Sequence, residues 1–120
     1  MSPKEHKILV VDDDADIREV LSDVLRELGH DVVTASNGLQ ALEILRQGAL
    51  PCMVLLDLMM PVMDGYLFLE AQRGDPALAS IPVTVITAGR QIDWDRLAGA
   101  TLVTKPIRLP ALLSIIQKNC

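Results

Sequence analysis

The unbroken apolar run Val54-Leu55-Leu56, stopped by a single carboxylate at Asp57, constrains the fold more than any other stretch. A strand covered on one face alternates apolar with polar residues. One that is apolar at every position is covered on both faces, the condition of an interior strand in a parallel sheet. Beyond Asp57, Pro61 and Asp64-Gly65 mark a loop and then a helix start. Asp57 is therefore expected where a buried strand opens into a loop, the edge at which open α/β sheets bind ligands. A carboxylate there holds a metal, acts as a nucleophile, or merely ends the strand, and this stretch alone leaves the three open.

The same pattern recurs along the chain. Ile8-Leu9-Val10-Val11 forms the apolar run of a first strand, Lys7–Val11, which stops at Asp12-Asp13-Asp14. Ile17, Val20, Leu21, Val24, Leu25 and Leu28 then follow helical spacing, with Arg18, Glu19, Asp23, Arg26 and Glu27 on an expected solvated face. Asp14 or Asp16 is the expected N-cap, Asp16 with Glu19 fits a capping box, and Gly29 suits the C′ position. Asp31–Ala35 reads as a second strand. After the turn Ser36-Asn37-Gly38, Leu39, Leu42 and Leu45 mark a second helix ending near Gly48. A third helix is expected from about Tyr66 to Arg73, with Phe68 and Leu69 inward and Tyr66 partly exposed. Val83–Ile86 is a fourth strand ending in Thr87-Ala88-Gly89, and Gln91–Ala98 a weak, short helix at best. Leu102-Val103 forms a fifth strand ending at Lys105-Pro106. Pro110 suits the first turn of a last helix whose apolar residues are Leu112, Leu113, Ile115 and Ile116. Strand and helix alternate five times. The expected fold is α/β: a doubly wound, five-stranded parallel sheet with helices on both faces and a short or irregular fourth helix.

Composition narrows the function. A chain of 120 residues is expected to make one domain, 1–120, and with half its residues hydrophobic it is not disordered. No apolar run approaches the roughly 20 residues of a membrane helix, and Met1–Val11 lacks a signal-peptide layout, so a cytoplasmic location is expected. The net charge of −5, with no Lys/Arg cluster, argues against direct nucleic-acid binding. Cys52 and Cys120 have neither metal-ligand spacing nor a secretory context. Both are expected as reduced thiols, Cys120 at a mobile end.

In a doubly wound sheet all strand C-terminal ends share one edge. That edge would gather Asp12, Asp13, Asp57, Thr87 and Lys105. Capping accounts for one or two of the aspartates at the first strand's end, and does not require the adjacent pair Asp12-Asp13. Carboxylate oxygens suit Mg²⁺, which keeps several waters and binds through one or two carboxylates plus phosphate oxygens. A carboxylate nucleophile can also accept a phosphoryl group as an aspartyl phosphate. Such transfer depends on charge neutralisation and in-line positioning. Mg²⁺ and the Lys105 ammonium would neutralise, the Thr87 hydroxyl would donate to a phosphoryl oxygen, and small Ala88 would leave room.

Val10-Val11-Asp12-Asp13, Leu56-Asp57-Leu58-Met59-Met60-Pro61 with Met63-Asp64-Gly65, Thr87-Ala88 and Lys105-Pro106, in that order and spacing, resemble the receiver domain of bacterial two-component response regulators. The resemblance covers essentially the whole chain. It implies a flavodoxin-like fold with strand order 2-1-3-4-5. It implies Asp57 as phospho-acceptor, and Asp12 and Asp13 as an acidic metal pair, Asp13 being the first candidate for direct ligation. The Met59 backbone carbonyl would complete the protein ligands to Mg²⁺, with Thr87 as switch hydroxyl and Lys105 as phosphate contact. The implied function is a signalling switch rather than a turnover enzyme. A sensor histidine kinase or phosphotransfer protein supplies the phosphoryl group in a Mg²⁺-dependent step, slow self-dephosphorylation removes it, and an output domain or partner protein reads the change. A homodimer is a possible state.

Two features depart from the family pattern. Leu102 stands three residues before Lys105, where the family usually carries a Tyr or Phe whose rotation is coupled to inward movement of the hydroxyl at the Thr87 position. The segment Gly89–Thr101 is shorter than usual by about one helical turn, about four residues. Trp94, within it, is expected to cover core left open by the short helix, the alternative being an exposed binding position. These departures motivate a second class of function, a phosphorylation-independent receiver-like interaction module. A flavin carrier on the same fold is disfavoured, because Asp12-Asp13-Asp14 would repel a phosphate and the chain has only three aromatic residues. An aspartyl-phosphate hydrolase would want a second acid shortly after the nucleophile, and Met59 stands two residues on.

Overall fold

A computed structural model describes residues 7–48, 50–88, 91–97 and 99–120. The expectations placed on residues 1–6, Gly89 and Ala98 lie outside the described residues. Among the described residues ten elements alternate: β1 (Lys7–Val11), α1 (Ala15–Glu27), β2 (Asp31–Ala35), α2 (Gly38–Arg46), β3 (Met53–Asp57), α3 (Gly65–Arg73), β4 (Val83–Thr87), α4 (Trp94–Leu97), β5 (Thr101–Thr104) and α5 (Leu109–Asn119). The strands form one sheet in the order β2-β1-β3-β4-β5, with every neighbouring pair parallel, as the flavodoxin-like fold requires. No helix among the described residues is long and apolar enough to cross a membrane.

Successive strand residues point to opposite faces, so the sheet makes two cores. Val54 and Leu56 pack with Leu9, Val11 and Val85 among Leu42, Leu45, Phe68, Leu69 and Leu97, on the face of α2, α3 and α4. Met53 and Leu55 pack with Ile8, Val10 and Ile86 against Leu21, Leu25, Leu112 and Ile116, on the face of α1 and α5. Each aliphatic side chain so buried contributes about 1.5–3 kcal/mol. All five residues of β3 are buried, which is why its sequence shows no alternation, whereas the edge strands β2 and β5 keep exposed positions.

The helix ends follow their sequence signals with one correction. The Asp14 side chain is the N-cap of α1, accepting from the Asp16 N–H at 2.9 Å and the Ile17 N–H at 3.3 Å, so neither Asp16 nor an Asp16–Glu19 capping box starts the helix. Gly29 takes the left-handed backbone (φ 92°) that the C′ position favours. Asn37 and Asp64 cap α2 and α3 through side-chain oxygens.

Other expectations change more. Of the apolar stripe of α1, Leu21 and Leu25 are buried while Val20 and Leu28 are exposed. Val20 lines an open cleft of about 370 Å³ between α1, Ile86 and the turn at Pro106-Ile107. Leu39 is likewise exposed, and Ala41 takes its place in the core of α2. Arg18, expected on a solvated face, is half-buried and donates from Nη1 to the Asp12 carbonyl at 2.7 Å. Tyr66 is buried rather than partly exposed: its hydroxyl accepts from the Asp93 N–H at 2.8 Å, and the Arg96 guanidinium lies 4.7 Å from its ring centre.

The fourth helix is a single turn of 4 residues, so the expected shortening is real. Trp94 does not cover the core, being 65 % exposed. Beside the short helix Leu97 is buried in the same cluster as Tyr66, with Ile92 and Ala100 packed against it. The cysteines are not reduced thiols, for Cys52 and Cys120 form a disulfide across a sequence separation of 68. Their spacing held no hint of this, because the fold alone brings the end of α5 beside the start of β3.

Candidate functional site

Strand register assembles the site. Val11 is level with Leu56, Asp57 with Ile86, and Thr87 with Thr104. The first residues past β1 and β5, Asp12 and Lys105, therefore come to the edge where Asp57 and Thr87 end their own strands. The Lys105 N–H donates to the Thr87 carbonyl at 2.6 Å, which extends the β4–β5 pairing by one residue, and the Lys105-Pro106 peptide is cis.

Asp12, Asp57 and Thr87 are buried, whereas Asp13 is exposed. One carboxylate oxygen from each of Asp12, Asp13 and Asp57 lies within 4.8 Å of the others. Lys105 Nζ sits 3.4 Å from Asp12 Oδ2 and 3.6 Å from Asp57 Oδ1. Asp12 is further held by the Asp14 N–H, which donates to its Oδ1 at 2.9 Å, and by the Arg18 bond to its carbonyl. Burial and then the neighbouring Asp12 push the Asp57 carboxyl above its ordinary range, with Asp13 adding to the rise. The Lys105 ammonium and a hydrogen bond from the Met59 N–H oppose it. A carboxylate so placed favours a compensating positive charge.

The donor set fits a small hard cation. It offers oxygen ligands alone, and too few to complete six-coordination without water or a phosphate, which is the habit of Mg²⁺. Met59 follows directly on this cluster. Its side chain is exposed and its N–H is engaged with Asp57.

The loop after Asp57 is pinned in ways that residue types alone did not reveal. The Gly65 N–H donates to the Leu58 carbonyl at 2.9 Å, and a Cβ on Gly65 would come within 2.6 Å of the Asp57 carbonyl oxygen. Val62 has φ 69°, and the Met63 N–H donates to the Pro61 carbonyl at 2.7 Å, a γ-turn whose backbone a β-branched residue rarely adopts. In the sequence Gly65 signalled a helix start and Val62 signalled nothing. Arg18 stands in the sequence as a cation in the first turn of the helix after three aspartates, a placement that equally suits a solvated face.

The fold and this edge define a doubly wound α/β protein with a cluster of three carboxylates and one lysine at the C-terminal ends of its strands. The chain belongs to the response regulator receiver domain family, whose model matches residues 8–117. It is 41% identical over 99 residues to the probable transcriptional regulator ycf27 of Porphyra purpurea, covering 82% of this chain and 39% of that protein. The signal receiver domain of a signal transduction histidine kinase from Syntrophus aciditrophicus superposes with a TM-score of 0.85 at 32% identity, covering 94% of this chain and 88% of that one. The response regulator TrrA of Thermotoga maritima, solved in complex with Mg²⁺–BeF, also gives 0.85, at 30% identity over 95% of this chain and 98% of its own. The chain spans about two-fifths of the length of the ycf27 relatives it matches.

Proposed function

We propose that Asp57 accepts a phosphoryl group from a sensor histidine kinase or a phosphotransfer protein, and that the chain thereby switches what a partner or output domain binds. The observation that carries this is the meeting of Asp12, Asp13 and Asp57, with carboxylate oxygens within 4.8 Å of one another, at a sheet edge where Lys105 pairs with Asp12 and Asp57. In the step, an Asp57 carboxylate oxygen attacks phosphorus, the oxygen–phosphorus bond forms as the donor's nitrogen–phosphorus bond breaks, and the imidazole leaves neutral after taking a proton.

Asp12, Asp13, Asp57 and the Met59 carbonyl would hold Mg²⁺, with Asp13 the first candidate for direct ligation. Bound there, the ion neutralises the carboxylates and the phosphoryl oxygens. Lys105 already faces Asp12 and Asp57, and exchanges that pairing for a phosphoryl oxygen. Thr87, at the end of the strand beside Asp57, donates its hydroxyl to another. The phosphoryl group adds a charge of about −1.5 to −2, by analogy with other phosphorylated side chains. The domain turns over no separate substrate: it assists its own phosphorylation and slow dephosphorylation. A cytoplasmic location, where such kinases have their donor, belongs to the same proposal. So do a homodimer as a possible state and the absence of direct nucleic-acid contacts by this chain.

Leu102 favours examining a second reading, since it is half-buried on β5 and offers no ring to rotate. A receiver-like module that works without phosphorylation would need none. Intact mass after incubation with Mg²⁺ and a small-molecule phosphodonor separates the two. One added phosphoryl is expected on the wild type, none when Mg²⁺ is chelated, and none on Asp57→Asn. No adduct on a folded wild type under several donors would leave the phosphorylation-independent module standing.

A further inference from the structure

The turn into α2 makes a contact outside the chemistry just described. Asn37 caps α2 by accepting from the Gln40 N–H at 2.8 Å, and the Gln40 side chain accepts from the Ser36 N–H at 2.6 Å. The Gly38 N–H, the first of the helix, lies outside the internal ladder. It donates instead across the molecule to the Met63 carbonyl at 2.9 Å. Gly38 is buried, and a Cβ on it would stand 2.8 Å from Met63 Cγ and 2.9 Å from the Met63 carbonyl oxygen. Glycine is needed there for closeness of approach, since its φ is not among the left-handed ones. The start of the same loop is held at Leu58, whose carbonyl accepts from the Gly65 N–H at 2.9 Å, and Met59 lies between the held residues Leu58 and Met63.

We propose that Gly38 is a positioning residue for metal binding: it seats the loop that follows Asp57 and so sets where the Met59 carbonyl stands relative to the three carboxylates. This rests on the metal role proposed for Met59, Asp12, Asp13 and Asp57. A methyl group at position 38 would have to push the Met63 carbonyl oxygen from 2.9 Å out to the 3.4 Å at which ordinary contact begins. Mg²⁺ demands near-ideal octahedral geometry at about 2.0–2.1 Å, so it tolerates such a shift in one ligand poorly. The N-terminus of α2 also carries partial positive charge, which strengthens its grip on the Met63 carbonyl.

The test compares wild type with Gly38→Ala. Mg²⁺ affinity is measured by calorimetry, phosphoryl uptake is followed at limiting and at saturating Mg²⁺, and circular dichroism checks the fold. The expected result is a Kd for Mg²⁺ raised about threefold to tenfold, with uptake slowed at limiting Mg²⁺ and returning to within about twofold of wild type at saturation. A folded variant whose Kd stays within about twofold of wild type overturns the proposal. So does a variant slowed by the same factor at both Mg²⁺ levels. If Gly38→Ala does not fold, the wild-type Gly38 amide decides. A resonance that shifts along the Mg²⁺ binding isotherm supports the coupling, and one that stays in place overturns it. A wild type that binds no Mg²⁺ and takes up no phosphoryl sinks the underlying functional reading, an outcome visible before any variant is made.

Discussion

The two ends of β3 are held in opposite ways. Before its first residue, Cys52 is bonded covalently to Cys120 at the end of α5. Its last residue, Asp57, sits among like charges, before a loop that carries a valine in a left-handed turn. The ends are roughly 16 Å apart along one strand. One is fastened, and the other keeps a carboxylate repulsion that a cation held there would relieve. If Asp57 is the acceptor proposed above, stability and chemistry are built at different edges of the same sheet, and each is expected to be perturbed with little effect on the other.

Reducing the disulfide is the strongest way to test that separation. A disulfide typically contributes about 2–4 kcal/mol, and the chain-entropy account puts a loop of this length at about 4 kcal/mol, so dithiothreitol or Cys120→Ser is expected to lower the thermal midpoint by roughly ten degrees or more. Phosphoryl uptake on the folded protein should stay within about twofold. A large loss of uptake on reduction would break the comparison.

The Asp57 end should respond with the opposite sign. Its carboxyl is raised above the ordinary 3.8, first by burial and then by Asp12, so the folded chain binds this proton more tightly than the unfolded chain does. Stability from this group therefore falls as pH climbs from 3.8 through the raised value, and stays lost above it. Asp57→Asn removes that loss. In metal-free buffer at neutral pH it is expected to melt a few degrees above wild type, while below pH 3.8 the gap closes. Equal melting at neutral pH would mean that the cluster is already relaxed.

Val62→Gly is the smallest of the three effects. It relieves a β-branched residue of a left-handed φ at the cost of greater chain entropy in the unfolded state, for a net gain of about 0.5–1 kcal/mol measurable by urea titration. A loss of stability would show that the γ-turn is held by the valine side chain rather than in spite of it.

Much of this was legible in the sequence because strand ends announce themselves. An apolar run that halts at a carboxylate, hydroxyl or lysine places that residue at the sheet edge, and Asp12, Asp57, Thr87 and Lys105 all followed from this. The strand order needed the family resemblance, since alternation alone does not order strands. What stayed hidden were contacts between elements far apart in the chain. Gly38 looked like a turn residue until Met63 was seen against it, and Cys52 gave no sign of Cys120. Trp94 does not take the core role that a shortened helix suggests, and Leu97, with Ile92 and Ala100, packs there instead.

Trp94 is the one tryptophan of the chain, and it is exposed on the shortest helix. This chain therefore carries a single indole, the one fluorophore excited at the red edge of aromatic absorption, placed on α4 and largely bathed in water. Its emission needs no label and has no second indole to confuse it. A change on adding Mg²⁺ or phosphodonor would report in real time that an event among the aspartates has reached α4. A silent indole with the mass adduct in place would mean that the message leaves the domain by another face.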